Sequence, residues 1–94
     1  MKTLVWDTSF KKAFNKLIRK NPNLQDKRFD ILELLSHDPF IPSLKSHKLK
    51  GQLDGLWSCS VEYDCPIIYK FEEDSETEEE LIVLVDIGSH DEIY

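Results

Sequence analysis

A short strand and an amphipathic helix open the chain. Lys2–Asp7 alternates apolar and polar residues over a few positions, which is typical of a short strand. Asp7, Thr8 or Ser9 can then cap a helix. Its apolar positions recur at i, i+4, i+7 and i+8, which predicts one buried face: Phe10, Phe14, Leu17 and Ile18. The basic side chains of the segment face outward: Lys11, Lys12, Lys16, Arg19 and Lys20.

A second helix is predicted directly after the first. Asn21 is a good N-cap and Pro22 suits the first helical position, so this pair ends one helix and starts the next. The helix runs to Asp38-Pro39, and His37 near this end is interpreted as a cation that interacts with the helix dipole. A second apolar stripe defines its buried face: Leu24, Ile31, Leu32 and Leu35.

The period changes from helix to strand after a connecting loop. Phe40–Gly55 contains proline, glycine and a lysine cluster, which together predict a loop. From Trp57 onward the apolar residues alternate with polar ones, which predicts a half-buried strand. One face carries Trp57, Cys59, Val61 and Tyr63, and the other carries Ser58, Ser60 and Glu62.

Two further strands complete the pattern. Asp64–Pro66 supplies a turn, and Ile67–Phe71 is rich in β-branched and aromatic residues. The acidic run Glu72–Glu80 is predicted as a solvated hairpin loop. Leu81–Ile87 is apolar on both faces until Asp86, so it belongs inside the sheet. Trp57 and Tyr69 are interpreted as core residues.

This element order predicts an α+β two-layer domain. A strand and a helical hairpin precede a three-stranded antiparallel meander. The first strand is expected beside the last one, because a strand that is apolar on both faces needs neighbours on both edges. At 94 residues the chain makes one domain, residues 1–94.

Charge is unevenly distributed along the chain. The formal net charge is −6, yet all 12 Lys and Arg residues fall within the first 71 residues. The remainder holds ten acidic residues and no Lys or Arg, and seven of the ten belong to the run Glu72–Glu80. Non-specific attraction to nucleic acid should therefore be weak overall, and no direct DNA binding is expected, while a local basic surface on the first 71 residues stays open.

Nothing in the sequence predicts a membrane segment, a secretion signal or a metal site. No stretch approaches the roughly 20 apolar residues that span a bilayer. Cys59 and Cys65 lack a CxxC spacing, so reduced thiols in a cytoplasmic protein are favoured over a redox pair. Histidines and cysteines show no paired metal-ligand spacing either, and no cofactor is expected.

Four local motifs carry a resemblance to a known family: His47–Gly51, Gly55–Trp57, Asp64–Tyr69 and Ile87–Tyr94. In this order and spacing the chain resembles the RelE/ParE toxin superfamily of bacterial toxin–antitoxin systems, in particular its YafQ-like branch of mRNA interferases. The resemblance spans nearly the whole chain and implies a RelE-like fold.

The resemblance implies an endoribonuclease that cuts mRNA in the ribosomal A site by turning the 2′-hydroxyl onto the adjacent phosphate. Such a reaction needs a base, an acid and cationic donors for the phosphorane. By the family pattern, His90 is the leading acid or base, Asp64 its carboxylate counterpart, His47 a phosphate or proton partner and Tyr94 a base-stacking aromatic. Three lysines around His47 are candidates for substrate contacts: Lys45, Lys48 and Lys50.

The chain departs from the family pattern at two positions. Ser60 stands where the branch often has a further histidine, and a serine cannot act as an acid or base near neutrality. Pro66 stands where relatives with a D-x-R-I-I-Y pattern carry arginine. Proline offers neither the charge nor the N–H donors of a guanidinium, so a weakened or inactive enzyme is one interpretation.

The sequence is therefore compatible with three functions. The leading one is an mRNA endoribonuclease toxin that a cognate antitoxin holds inactive. A ParE-like member would instead bind DNA gyrase, although the ending His90–Tyr94 favours the nuclease. The third is a catalytically inactive module that only binds the antitoxin. In each case a small domain with a basic helix face offers a surface that an acidic or amphipathic partner can wrap.

Overall fold

The structure, a computed structural model, describes residues 2–60 and 66–88. Within these residues the chain forms two α helices and one five-stranded sheet. The helices are α1, Thr8–Lys20, and α2, Gln25–His37. The strands are β1, Thr3–Trp6; β2, His47–Lys48; β3, Trp57–Cys59; β4, Ile67–Glu73; and β5, Glu80–Ile87.

The sheet has the order β1-β5-β4-β3-β2. β1 pairs in parallel with β5, which confirms that the first strand lies beside the last. The other pairs are antiparallel, so β3, β4 and β5 form the expected meander. The fold is the α+β class that the sequence predicts, with one strand more than expected.

Helix α1 follows its sequence pattern closely. Asp7 caps it, since its Oδ1 accepts a hydrogen bond from the Thr8 amide at 2.8 Å. Phe10 and Phe14 are buried, while Leu17 is half-buried at the edge of the same face. All five basic side chains on the other face are exposed, as predicted.

Helix α2 begins later than predicted. Pro22–Leu24 forms a single 3₁₀ turn, and the Asn21 side chain makes no capping hydrogen bond. The α helix starts at Gln25 and ends at His37, where the sequence predicts its end. Its predicted apolar stripe is buried from Ile31 onward, and the charged Arg28 is buried as well, which the pattern did not reveal.

The core lies between the helices and one face of the sheet. Tyr69 on β4 is fully buried within it, beside the half-buried Trp57 and Phe71. Burial, the largest cause, raises the pKa of the Tyr69 hydroxyl from 10.0 to about 12, and a contact with Ser46 partly offsets it. Tyr69 is a core residue, as predicted, and Trp57 packs against the core at its margin.

The segment predicted as a connecting loop, Phe40–Gly55, contains regular structure. Pro42–Leu44 and Gly51–Leu53 are 3₁₀ turns, and His47–Lys48 forms the edge strand β2. A strand of two residues has no periodicity to read, so only its pairing with β3 reveals it.

The acidic run is shorter as a loop than predicted. β4 continues to Glu73 and β5 begins at Glu80, so the connecting turn is only Asp74–Glu79. Asp74 Oδ1 accepts hydrogen bonds from the amides of Glu76 at 2.8 Å and Thr77 at 3.2 Å, which lower the pKa of this carboxyl. Cross-strand pairing thus recruits glutamates that the charge pattern assigns to a loop.

Among the described residues, no helix is both long enough and apolar enough to cross a membrane.

Candidate active site

His47 lies at the open edge of the sheet, on a loop that the core holds in place. Leu44 and Leu49 on either side of it are buried, and both flanks are tied to the β3 segment. The Leu44 carbonyl accepts from the Ser60 amide at 2.8 Å, and the Leu49 amide donates to the Leu56 carbonyl at 2.9 Å. These contacts fix the backbone of His47 while its side chain stays exposed.

The His47 ring has one nitrogen engaged. Nδ1 lies 3.1 Å from the Lys45 carbonyl oxygen. Because a carbonyl only accepts, this contact requires a proton on Nδ1. In the neutral ring Nε2 then carries the lone pair, so it is the atom that can take a proton from a substrate.

The predicted substrate-binding lysines surround His47 but do not share one direction. Lys45, Lys48 and Lys50 are all exposed, and no acidic residue occurs between positions 39 and 53. Lys48 pairs with Trp57, so its side chain lies on the helix side of the sheet, opposite to that of His47. The loop is a basic surface in which Lys48 is turned away from the histidine.

A buried hydroxyl lies directly across from His47. Ser58 on β3 is its cross-strand partner, and Ser58 pairs in turn with Ile68 on β4. Direct partners share a face, and these three residues lie on the face away from the helices. Ser58 is 1% exposed, and its Oγ has no hydrogen-bond partner among the described residues. The alternation correctly places Ser58 on the face opposite to Trp57 and Cys59, but alternation alone does not show how deeply each face is covered.

Pro66 and Gly88 meet at the open end of the β4–β5 pair. Pro66 directly precedes β4 and is buried, and its carbonyl accepts from the Gly88 amide at 3.4 Å. Proline is tolerated here because β4 pairing begins only at Ile67. Three of the predicted catalytic residues lie outside the described residues: Asp64, His90 and Tyr94.

A cleft that the sequence did not predict lies near the same end of β5. It has a volume of about 170 Å³ and is lined by Lys16 and Lys20 of α1 and by Asp86–Gly88 of the β5 end. The outward lysines of α1 were predicted as a solvated face, and only the packing of α1 against β5 shows that two of them border a concavity.

Ser60, at the position of the family's further histidine, is half-buried and uses its amide to hold Leu44. Within residues 2–60 and 66–88, no group of three or more His, Cys, Asp or Glu side chains is placed to bind a metal ion.

Comparison with known proteins gives one family and a consistent set of folds. A family profile described as the bacterial toxin of type II toxin-antitoxin system, YafQ, matches residues 2–94. A copper-bound mutant toxin from Helicobacter pylori is similar, with 28% identity, a TM-score of 0.74 and full coverage of both chains. No curated protein sequence gives a significant match.

Two structures from Escherichia coli share the fold. YafQ is 22% identical with a TM-score of 0.77, covering 100% of this chain and 99% of that one. The toxin chain matched in the DinJ-YafQ toxin-antitoxin complex is 23% identical with a TM-score of 0.74, covering 99% and 97%.

Proposed function

This chain belongs to the YafQ family of toxins of bacterial type II toxin–antitoxin systems, and from that premise we propose that it is an endoribonuclease of mRNA. Its substrate is message bound in the ribosomal A site. The observation that carries the proposal is His47: an exposed imidazole in a basic loop, whose Nδ1 is hydrogen-bonded to a carbonyl and whose Nε2 makes no hydrogen bond to the residues that the structure describes.

The reaction is an internal transfer at one phosphate. A base takes the proton of the 2′-hydroxyl, and the 2′ oxygen bonds to the adjacent phosphorus. An acid then protonates the 5′ oxygen as its bond to phosphorus breaks. The products are a 2′,3′-cyclic phosphate and a 5′-hydroxyl, so no metal or redox partner enters the balance. His47 and His90 are the proposed proton carriers, with Asp64 as counterpart of His90 and Tyr94 as a stacking aromatic.

Chain connectivity supports bringing these groups to one end of the sheet. In the sequence, Asp64 is two residues from Pro66 and His90 is two residues from Gly88. Pro66 and Gly88 are hydrogen-bonded to each other. β2 lies two strand spacings from β4, about 10 Å, which long side chains and a nucleotide can bridge.

Pro66 argues for weak catalysis in this chain. The buried ring supplies no positive charge to a phosphorane, and the proposed site otherwise relies on lysines of a surface loop. This position favours a second candidate function, an inactive module that binds the antitoxin without cutting RNA.

An antitoxin protein is the proposed partner in both cases. The DinJ-YafQ structures show that a family member assembles with an antitoxin. This chain exposes large apolar side chains that a wrapped partner would cover, among them Phe40, which is 56% exposed, and Phe29. Co-expression with the neighbouring reading frame should give a complex that elutes together and melts at a higher temperature.

Cleavage of ribosome-bound message tests the proposal. Primer extension should reveal cuts within the reading frame that weaken by about 10²- to 10⁴-fold in His47→Gln and His90→Gln, the usual contribution of proton transfer. His37→Gln is the matched control, because His37 is an exposed histidine at the end of α2. Antitoxin binding without cuts would leave the inactive module, and gyrase inhibition without cuts would overturn both.

A further inference from the structure

Lys45 has a left-handed backbone, with φ of 50° and ψ of 41°. A residue with a Cβ atom is disfavoured there, and such conformations persist where the surrounding structure enforces them. Among the described non-glycine residues with positive φ, the other is Glu78 in the acidic turn.

The main chain of Lys45 makes contacts in two directions. Its amide donates to the Pro42 carbonyl at 3.2 Å and so closes the 3₁₀ turn Pro42–Leu44. Its carbonyl oxygen lies 3.1 Å from Nδ1 of His47, two residues later in the chain. The Lys45 side chain, for which the sequence predicted a phosphate contact, takes part in neither.

The next residue strengthens this bend. Ser46 Oγ donates to the Pro39 carbonyl at 2.5 Å, which ties the two sides of the loop together. Leu44 is buried before the bend and Leu49 after it. Both flanks are therefore held, and the left-handed residue lies where the chain changes direction between them.

We propose that Lys45 is a positioning residue for His47: its left-handed backbone aims its carbonyl at Nδ1 and so selects the ring tautomer in which Nε2 is free to accept a proton. This inference rests on the proposed function for its biological meaning. The orientation itself can be measured without RNA.

The test compares two uncharged substitutions of similar size. Asparagine tolerates the left-handed conformation and valine does not, so Lys45→Asn removes the lysine side chain and keeps the bend, while Lys45→Val removes both. ¹⁵N NMR of the His47 ring above pH 8 should show Nδ1 protonated in the parent protein and in Lys45→Asn. In Lys45→Val the ratio of this tautomer to the other should fall about five-fold, the factor for one net hydrogen bond of about 1 kcal/mol.

Glu78→Val is the matched control. It makes the same backbone change in the acidic turn and should leave the His47 tautomer unaltered. An unchanged tautomer in folded Lys45→Val overturns the proposal. Should that variant fail to fold, the parent protein decides: a His47 ring protonated at Nε2 overturns the proposal as well.

Cleavage assays separate this inference from the proposed function. If Lys45 acts through its backbone, kcat should be lower in Lys45→Val than in Lys45→Asn, because both variants lack the ammonium group and only valine removes the bend. Loss of a phosphate contact by the side chain would instead raise KM equally in both variants. A protein without any cleavage but with the expected tautomers would refute the nuclease and leave the positioning role intact.

Discussion

The β4–β5 hairpin has two ends that are built in different ways. At the turn end, Asp74–Glu79 is closed mainly by its own hydrogen bonds: Asp74 accepts from two amides of the turn, and the Glu78 amide donates to the Asp74 carbonyl at 2.9 Å. Its contact with another element is at the surface, where the Glu79 carboxylate accepts from the Thr3 hydroxyl of β1. At the open end, the neighbouring loop that carries His47 is held by buried leucines and by hydrogen bonds to other elements.

The difference teaches where this fold can place chemistry. A turn closed by its own side chains keeps its shape without fixing any group relative to the core. A loop anchored on both sides holds a side chain at a defined place above the sheet. The charges agree with this division, because the turn end is acidic and repels phosphate while the His47 loop is basic and attracts it.

The largest expected effect is an increase in catalytic activity at the open end, caused by the substitution Pro66→Arg. A guanidinium beside the proposed site should raise message cleavage by about 10²- to 10³-fold, the usual effect of one preorganised charge donor. Both proteins are induced from the same promoter without antitoxin, and growth and message 5′ ends are followed. Arginine should turn a tolerated protein into a growth-inhibiting one.

Because Pro66 is buried, the experiment needs a control variant that carries the same structural cost. A longer side chain must leave the buried site, and the unfolded chain gains freedom when proline is removed, so a loss of about 1 to 2 kcal/mol in unfolding free energy is expected. Pro66→Gln carries the same structural cost without the charge. If arginine and glutamine variants are folded and cut message equally, position 66 does not govern activity.

Much of the fold could be predicted because its signals are local. The aromatic stripe of α1 and the doubly apolar β5 each specify a buried face within a few residues. The two-residue strand β2 could not be predicted, because it is defined only by its pairing with β3, in which His47 lies opposite Ser58. The glutamates of β4 and β5 were missed for the same reason.

A second prediction loosens the anchored loop directly. Leu44 is fully buried, so Leu44→Ala should cost about 2 to 5 kcal/mol of unfolding free energy and release the His47 loop. Urea denaturation measures the cost, and amide exchange at Ser60, which bonds to the Leu44 carbonyl, reports the release. Leu34→Ala is the control, because Leu34 is 39% exposed and should lose about 1 kcal/mol or less.

If the leucine at 44 can be removed with no faster exchange at Ser60, the loop is not anchored by the core and the two ends do not differ as described.

A third prediction uses pH to probe the core beside the open end. Burial raises the pKa of Tyr69 from 10.0 to about 12. Between these values the folded protein binds more protons than the unfolded chain, so stability is unaffected below pH 10 and falls as pH rises to 12. The loss from this group is about 2 to 3 kcal/mol. Urea denaturation across this range should show it, and Tyr69→Phe should lack that part of the slope.

The geometry around His47 could not be predicted from the sequence. The motifs indicated His47, yet the carbonyl that selects its tautomer belongs to the backbone of Lys45. The sequence suggested a role only for the Lys45 side chain, as a substrate contact. Ser58 was hidden because a serine on an alternating strand gives no sign of its depth. Backbone direction and burial emerge only when distant segments pair.

The smallest expected effect lies at the turn end. Asp74→Ala removes the acceptor for the amides of Glu76 and Thr77, so these two amides should exchange faster with solvent. The parent protein should show the same change as pH falls below the ordinary carboxyl pKa of 3.8. The lowered pKa means that Asp74 favours the folded turn above that value and stops doing so as it becomes protonated. Exchange at Leu49 and Ser60, in and beside the His47 loop, should stay the same in Asp74→Ala. A matching increase at those amides would mean that the turn end and the open end are coupled, and that the turn does not keep its shape independently of the site.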